Sequence, residues 1–296
     1  MALFPESRRA LEQSADDVPV WTEGYDVAAA RATAREAALG EPREDVAEVV
    51  DLDADGVPVR LYRPAGARPG VMVHAHGGGF VFHDVEVHDP ACRRLANRTG
   101  LAVVSVDYRR PPEHPFPAAP DDLSTVVGWL DRAADEHGLA GPAYVHGDSA
   151  GANLALVAAL RHPGRFAAAV LIYPFLDPEG GFPSYAATGN GFDPREAAWY
   201  WEQYAGGPDD LVHPDLAPLR STRLGTLPPT LVVTAEHDPL VDEAEELARR
   251  LAEEGVEVVS ARYQGQLHGF WRHPSEFPAA EVALRQVAGF LAVHGG

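Results

Sequence analysis

Apolar and polar positions along this chain follow two rhythms. From Asp45 to Asp53 they alternate, Asp55-Gly56 supplies a turn, and alternation resumes from Val57 to Arg63, which predicts an antiparallel hairpin. Beyond it the apolar positions come in short unbroken runs, at Val71 to Val73, Leu101 to Val106, Ala143 to Val145, Ala168 to Ile172, Thr230 to Val233 and Val256 to Val259. Runs without alternation suit strands covered on both faces. Helical spacing fills most of the gaps, at Pro90 to Arg98, Ala119 to His137, Ala150 to Arg161, Leu240 to Glu254 and Ala279 to Val293. The alternation predicts an α/β fold, a mostly parallel sheet with helices on both sides.

Two segments break the rhythm. The leader, residues 1–44, contains a helix-like stretch from Asp26 to Leu39, and a long insertion at about 177–225 separates the strands near Ile172 and Thr230. Phe182, Tyr185, Phe192, Trp199, Tyr200, Trp201 and Tyr204 crowd into that insertion, well above the 8% aromatic average of the chain. Long connections in compact domains tend to be lids or binding loops. The expected organisation is therefore a catalytic domain over 45–296, capped by the leader and the insertion together.

Composition narrows the field. The 296 residues are 46% hydrophobic and 23% charged, the balance of a globular chain large enough for a sizeable core. Lys and Arg total 24 against 44 Asp and Glu, so a formal charge of −20 repels phosphate backbones and anionic headgroups, and neither nucleic acid nor a membrane is an expected partner. No basic start followed by an apolar stretch is visible at MALFPESRRALEQ, and Phe166 to Tyr173, the longest apolar run, is too short to span a bilayer. A cytoplasmic location is the default expectation. The single Cys92 excludes an internal disulfide framework and lies in an apolar helical stripe, where packing is its expected role.

Candidate chemistry begins at Gly147-Asp148-Ser149-Ala150-Gly151, between an apolar strand and a helical run. A nucleophilic serine on a sharp strand-to-helix turn needs small residues two positions either side, and Gly147 and Gly151 meet that need. The helix start also makes the Ala150 N–H a natural donor to a developing oxyanion. Further donors are available at His76-Gly77-Gly78-Gly79-Phe80, where consecutive glycines let the backbone aim the Gly78 and Gly79 N–H groups at a carbonyl. The carboxylate and base should follow in the order Ser, Asp, His. Asp238 lies just past a strand run and His268 in the loop after the next one, Val256 to Tyr263. Asp242, Glu236 and the less favoured Asp177 are rival carboxylates, and His273, next to Pro274, is the rival base. His74, His76, His83 and His88 have the look of a ligand cluster, but no further carboxylate spacing completes a metallohydrolase pattern, and neither metal nor cofactor is expected.

HGGGF at 76–80, DYRRPPEHPFPAAPDD at 107–122, GDSAGANLA at 147–155, EHDPLVDE at 236–243 and HGF at 268–270 together resemble the bacterial hormone-sensitive-lipase-like carboxylesterases of the α/β-hydrolase superfamily, over nearly everything from residue 45 onward. That resemblance implies an α/β-hydrolase fold with an eight-stranded sheet and helical cap, and an oxyanion hole at Gly78, Gly79 and Ala150. One motif departs: the family usually reads Tyr-Arg-Leu-Ala-Pro-Glu where this chain has Tyr108-Arg109-Arg110-Pro111-Pro112-Glu113.

The expected activity is hydrolysis of short-to-medium acyl esters, with Ser149 as nucleophile, His268 as base and Asp238 as the orienting carboxylate. Phe80, Tyr185, Phe192, Trp199, Tyr200, Leu240 and Phe270 are the candidate substrate-pocket residues, and a small-molecule ester is the expected partner, with homodimerisation possible by resemblance. The same triad would also serve a deacetylase, lactonase or amidase acting on a specialised metabolite. A ligand-binding homologue without turnover is the non-enzymatic alternative, although such proteins generally lack a triad member.

Overall fold

A computed structural model describes residues 2–186 and 191–294; residues 187–190 of the expected insertion lie outside them. Eight strands form one sheet in the order β1-β2-β4-β3-β5-β6-β7-β8. The hairpin of β1 (Glu48–Ala54) and β2 (Val57–Arg63) is antiparallel and turns on Asp55 and Gly56, both at positive φ, while the Asp53 carboxylate accepts the Gly56 N–H at 2.7 Å. Next to it β2 runs antiparallel to β4 (Ala102–Val106), and every later pairing, through β3 (Val71–Ala75), β5 (Ala143–Asp148), β6 (Ala168–Ile172), β7 (Thr230–His237) and β8 (Val258–Leu267), is parallel.

The unbroken apolar runs have a direct cause. Along β3, Val71, Val73 and Ala75 pack into the core that holds Leu123 of α4 (Ala118–Ala133) and Leu154 of α5 (Ala150–Arg161), whereas Met72 packs into the core that holds Leu95 of α3 (Asp89–Thr99) and Leu284 of α8 (Pro278–Val293). Both faces are thus apolar, as buried parallel strands require. Cys92 is buried with Tyr62 and Met72 in the second core, where desolvation pushes its thiol pKa up. It is a packing residue.

Two expectations fail locally. β8 is an edge strand whose first half is partly or fully exposed, with Val259 at 41%, so the run at Val256 to Val259 does not report two covered faces. It also continues to Leu267, so His268 follows the strand directly instead of sitting within a longer loop. A short helix, α1 (Pro5–Gln13), precedes the one expected in the leader; the Phe4 N–H donates to Gly265 O, seating it by the end of β8.

The leader and the insertion meet. In the leader, α2 (Val27–Leu39) starts at Asp26, whose carboxylate caps the Ala29 N–H at 2.9 Å, and Arg31 donates to Val81 O at 2.8 Å and to Glu113 at 2.8 Å. The insertion contributes α6 (Pro194–Tyr204), capped by Asp193 with Pro194 at its first position. Tyr25 sets its edge against Trp199 of α6 and against Phe82 in the loop after β3, and the Arg195 guanidinium lies 4.5 Å over the Trp21 ring. An α7 helix (Val241–Glu253) between β7 and β8 packs on the α4–α5 side through Leu247 and Leu251.

Candidate active site

Strand β5 ends at Asp148 and α5 begins at Ala150, which leaves Ser149 between them at φ 56° and ψ −123°, a backbone conformation rare for a residue with a Cβ. The turn is held by close backbone approach. A Cβ at Gly147 would overlap the Gly151 carbonyl, and one at Gly151 would overlap those of Ala75 and His76. Neighbouring chain locks it: Ser149 N–H donates to Ile172 O at 2.9 Å, Phe175 N–H donates to Ser149 O at 3.2 Å, and the Asn153 amide spans Phe175 O and Leu216 O at 2.9 Å each.

The ends of β7 and β8 bring two more groups to this rim. His268 Nε2 lies 2.9 Å from Ser149 Oγ, placed to accept the hydroxyl proton, and Nδ1 lies 2.7 Å from Asp238 Oδ2. Asp238 is fully buried, and its other oxygen accepts the Leu240 N–H at 2.9 Å, which fixes the carboxylate plane. The imidazole packs against the Tyr173 ring at 4.3 Å and the Phe192 ring at 5.1 Å. The rival residues are occupied elsewhere. Asp177 accepts the Glu179 and Gly181 N–H groups, Asp242 accepts the Ser184 N–H, and Glu236 accepts that of Gly265. His273 is partly exposed, 3.7 Å from Glu41, its pKa lowered to about 3, first by desolvation.

The glycine loop after β3 faces the same rim. Gly78 and Gly79 sit at φ 121° and 58°; a Cβ on the first would strike Phe82 O and on the second the Tyr200 ring. Gly77 N–H donates to Asp148 Oδ1 at 3.1 Å, whereas the N–H groups of Gly78, Gly79 and Ala150 find no acceptor among the described residues. The departing motif buttresses this loop: Tyr108 Oη donates to His76 O at 2.7 Å, and Arg110 donates to His83 O. The departure therefore leaves intact a brace on the backbone the site depends on.

Beneath the loop lies a buried imidazole network. His74 contacts His146 through their Nδ1 atoms at 2.9 Å and His88 Nδ1 through its Nε2 at 3.3 Å, and His88 Nδ1 lies 3.7 Å from Asp148. His74, His88 and Asp148 could present three ligand atoms to one cation, and Asp148 is the carboxylate that sequence spacing did not offer. Desolvation holds all three imidazoles below their usual pKa, His74 at about 3. Asp148 is raised, also by burial.

The pocket candidates divide. Phe192 lies against His268, and Tyr200 reaches the Gly79 backbone. Trp199 stacks on Phe82 at 6.1 Å, farther out. Tyr185 borders a cavity of about 540 Å³ formed with Phe182, Pro194 and Trp201, and its hydroxyl donates to Glu243 at 2.9 Å. Phe80, Leu240 and Phe270 are fully buried: Phe80 stacks on Tyr204 with centroids 3.7 Å apart, Phe270 packs between Tyr173 and Tyr263, and Leu240 belongs to the α4–α5 core, so none offers surface to a substrate. Tyr173 and Glu196 escaped the sequence reading. Tyr173 ends a strand run that reads as core, and Glu196 is one acidic residue among many in an acidic chain.

A model of the alpha/beta hydrolase fold family matches residues 72–272. The chain belongs to the α/β-hydrolase family. Carboxylic ester hydrolase LipN of Mycobacterium tuberculosis is 38% identical over 83% of this chain and 70% of its own, and ethyl acetate hydrolase of Pseudomonas putida is 35% identical over 82% and 80%. Among solved structures, an esterase from the archaeon Pyrobaculum calidifontis superposes with a TM-score of 0.89 at 36% identity, covering 100% of both chains. Within the α/β-hydrolases this is a carboxylesterase of the hormone-sensitive-lipase-like group, and its chemistry is serine ester hydrolysis. No helix among the described residues is long and apolar enough to cross a membrane.

Proposed function

We propose that this carboxylesterase works through a Ser149–His268–Asp238 triad and an acyl-enzyme intermediate; the observation that carries the reading is the hydrogen-bonded run from Ser149 Oγ through the His268 ring to the buried Asp238. His268 Nε2 takes the hydroxyl proton as Oγ bonds to the ester carbonyl carbon, and Asp238 fixes the tautomer and steadies the imidazolium. The free N–H groups of Gly78, Gly79 and Ala150 receive the oxyanion. The tetrahedral intermediate collapses with loss of the alcohol, which takes the proton from His268. Water, deprotonated by the same ring, then attacks the acyl-enzyme, and Ser149 regains its proton as the acid leaves. Ser149→Ala should lose p-nitrophenyl butyrate hydrolysis by about 10⁴-fold or more, together with fluorophosphonate labelling. Wild-type turnover in that variant would remove Ser149 from the mechanism.

Residues 1–44 and 177–225 act in this reading as a cap, a role supported by the Tyr25–Trp199 and Arg195–Trp21 contacts. The bulk of Phe192 and Tyr200 beside the reacting groups favours short-to-medium acyl chains. A rate series over p-nitrophenyl esters peaking at a long acyl chain would contradict this. The exposed edge of β8 with Val282 of α8 offers a surface for a second copy, and light scattering reads the result. The lone buried thiol suits a reducing cytoplasm.

A further inference from the structure

We infer that the active site carries a cation subsite centred on Glu196, and that its preferred esters bear an ammonium group. The inference rests on the ester-hydrolase reading and names the substrate class of that same site.

Glu196, Trp199 and Tyr200 are spaced i, i+3 and i+4 on α6 and so share one helix face. That face looks onto the reacting groups. The Tyr200 ring abuts the Gly79 backbone and lies 6.1 Å from Phe192, whose ring is in turn 5.1 Å from His268. The Glu196 carboxylate is held by the Tyr200 hydroxyl at 2.8 Å and by the Asp193 N–H at the head of α6. Its neighbour Arg195 turns away to Asp193 at 2.8 Å and lies over Trp21.

Glu196 is partly buried and hydrogen-bonded but pairs with no cation among the described residues, so a cation reaching it gains a charge–charge contact in a setting less screened than open water. Burial raises the Glu196 pKa, with Tyr200, the field of His268 and the Asp193 N–H acting the other way, so an arriving cation would draw the group back to its ionised form. The surrounding surface is aromatic: Tyr25, Trp199 and Tyr200 stand around it, and the Tyr25 hydroxyl feels the Glu196 charge. Aromatic faces beside a carboxylate are the chemistry that recognises ammonium groups, including quaternary ones that cannot donate hydrogen bonds. A formal charge of −20 would also draw cationic esters toward the protein, but over a longer range.

The test compares acetylcholine with its uncharged isostere 3,3-dimethylbutyl acetate. The wild type should favour the cationic ester by about tenfold or more in kcat/KM, equivalent to about 1.4 kcal/mol. Glu196→Gln should shrink that ratio at least fivefold, and Tyr200→Phe, which frees the carboxylate from one anchor, should shrink it less. The preference should survive 0.5 M salt, since steering by distant charge is screened there and a desolvated contact is not. Equal ratios in wild type and Glu196→Gln, or a preference abolished by salt, would overturn the subsite while leaving the esterase reading standing. Failure to hydrolyse either ester, or any p-nitrophenyl ester, would strike the esterase reading itself.

Discussion

The Gly77 amide donates to the Asp148 carboxylate across 3.1 Å, tying the glycine loop after β3 to the residue that precedes Ser149. One side chain thus sets the spacing between the proposed oxyanion donors and the nucleophile. Asp148 is itself buried, with His88 Nδ1 3.7 Å away. Asp148→Ala should lower kcat on p-nitrophenyl butyrate by about 10²-fold with little change in KM, the scale of losing one oxyanion donor. Asp148→Asn keeps an acceptor oxygen and should cost less than about tenfold. Unchanged kcat in the alanine variant would mean that Tyr108 and Arg110 hold the loop without it.

Asp238 and Asp177 give the sharpest contrast between rival carboxylates. Asp238→Asn can still accept the Leu240 N–H, so the fold should stand, but His268 would lose the partner that fixes its tautomer. Activity should fall by about 10³- to 10⁴-fold, the size known for a triad carboxylate changed to its amide. Asp177→Asn should stay within about twofold, because that side chain only braces its own loop. The reverse order would reassign the acid.

Close packing at the serine turn makes a prediction about stability. A Cβ at Gly151 meets backbone of β3 and the residue after it, which cannot move aside, whereas one at Gly289 in α8 meets nothing within 4 Å. Gly151→Ala should cost about 3 kcal/mol or more, lowering Tm by roughly 6–10 °C. Gly289→Ala should raise Tm by roughly 2 °C through helix propensity. Differential scanning calorimetry of the pair reads both, and equal shifts would show that the turn can relax.

Sequence pattern reached the central sheet and the motif positions because both leave local marks. A strand buried between two helical layers is mostly apolar on both faces, as at Val71, Met72 and Val73, and a serine on so tight a turn needs glycines at 147 and 151. β8 was misread for the same reason: four apolar residues in a row look identical whether two faces or one are covered, and nothing local marks a strand as the sheet's edge. The pocket was the least legible part. Phe80 and Phe192 differ only in which way the backbone turns them, Phe80 onto Tyr204 and Phe192 onto His268, and that is settled by distant chain. Asp148 stood inside a recognised motif, but its bond to Gly77 needs the β3–β5 register, which pairs Ala75 with Gly147.

Acid should unfold this protein early. His74, His76, His83, His88, His146 and His273 are all held below their usual pKa, first by desolvation, two of them at about 3. Each stays neutral in the folded state while the unfolded chain takes up a proton near pH 6.5. A depressed folded pKa contributes stability that is complete above the unfolded value and is lost as pH falls toward the folded one, here between about 6.5 and 3. Burial acts with the opposite sign on Glu243, Asp148, Asp107 and Glu196, whose raised pKa values cost stability as pH rises through the carboxylate range. The imidazoles outnumber them, so the net sign is destabilisation toward acid. Tm should be nearly flat from pH 8 to 7 and fall steeply from pH 6.5 to 5, with a net uptake of about two or more protons on unfolding, each worth about 1.4 kcal/mol per pH unit. Surface carboxylates paired with arginine, such as Glu44 and Asp51, have lowered pKa values and would weaken the fold only below about pH 4.5, so the window above pH 5 separates the histidines from these pairs. A Tm that holds flat down to pH 5 would mean that these rings are already protonated, or reach water, in the folded protein.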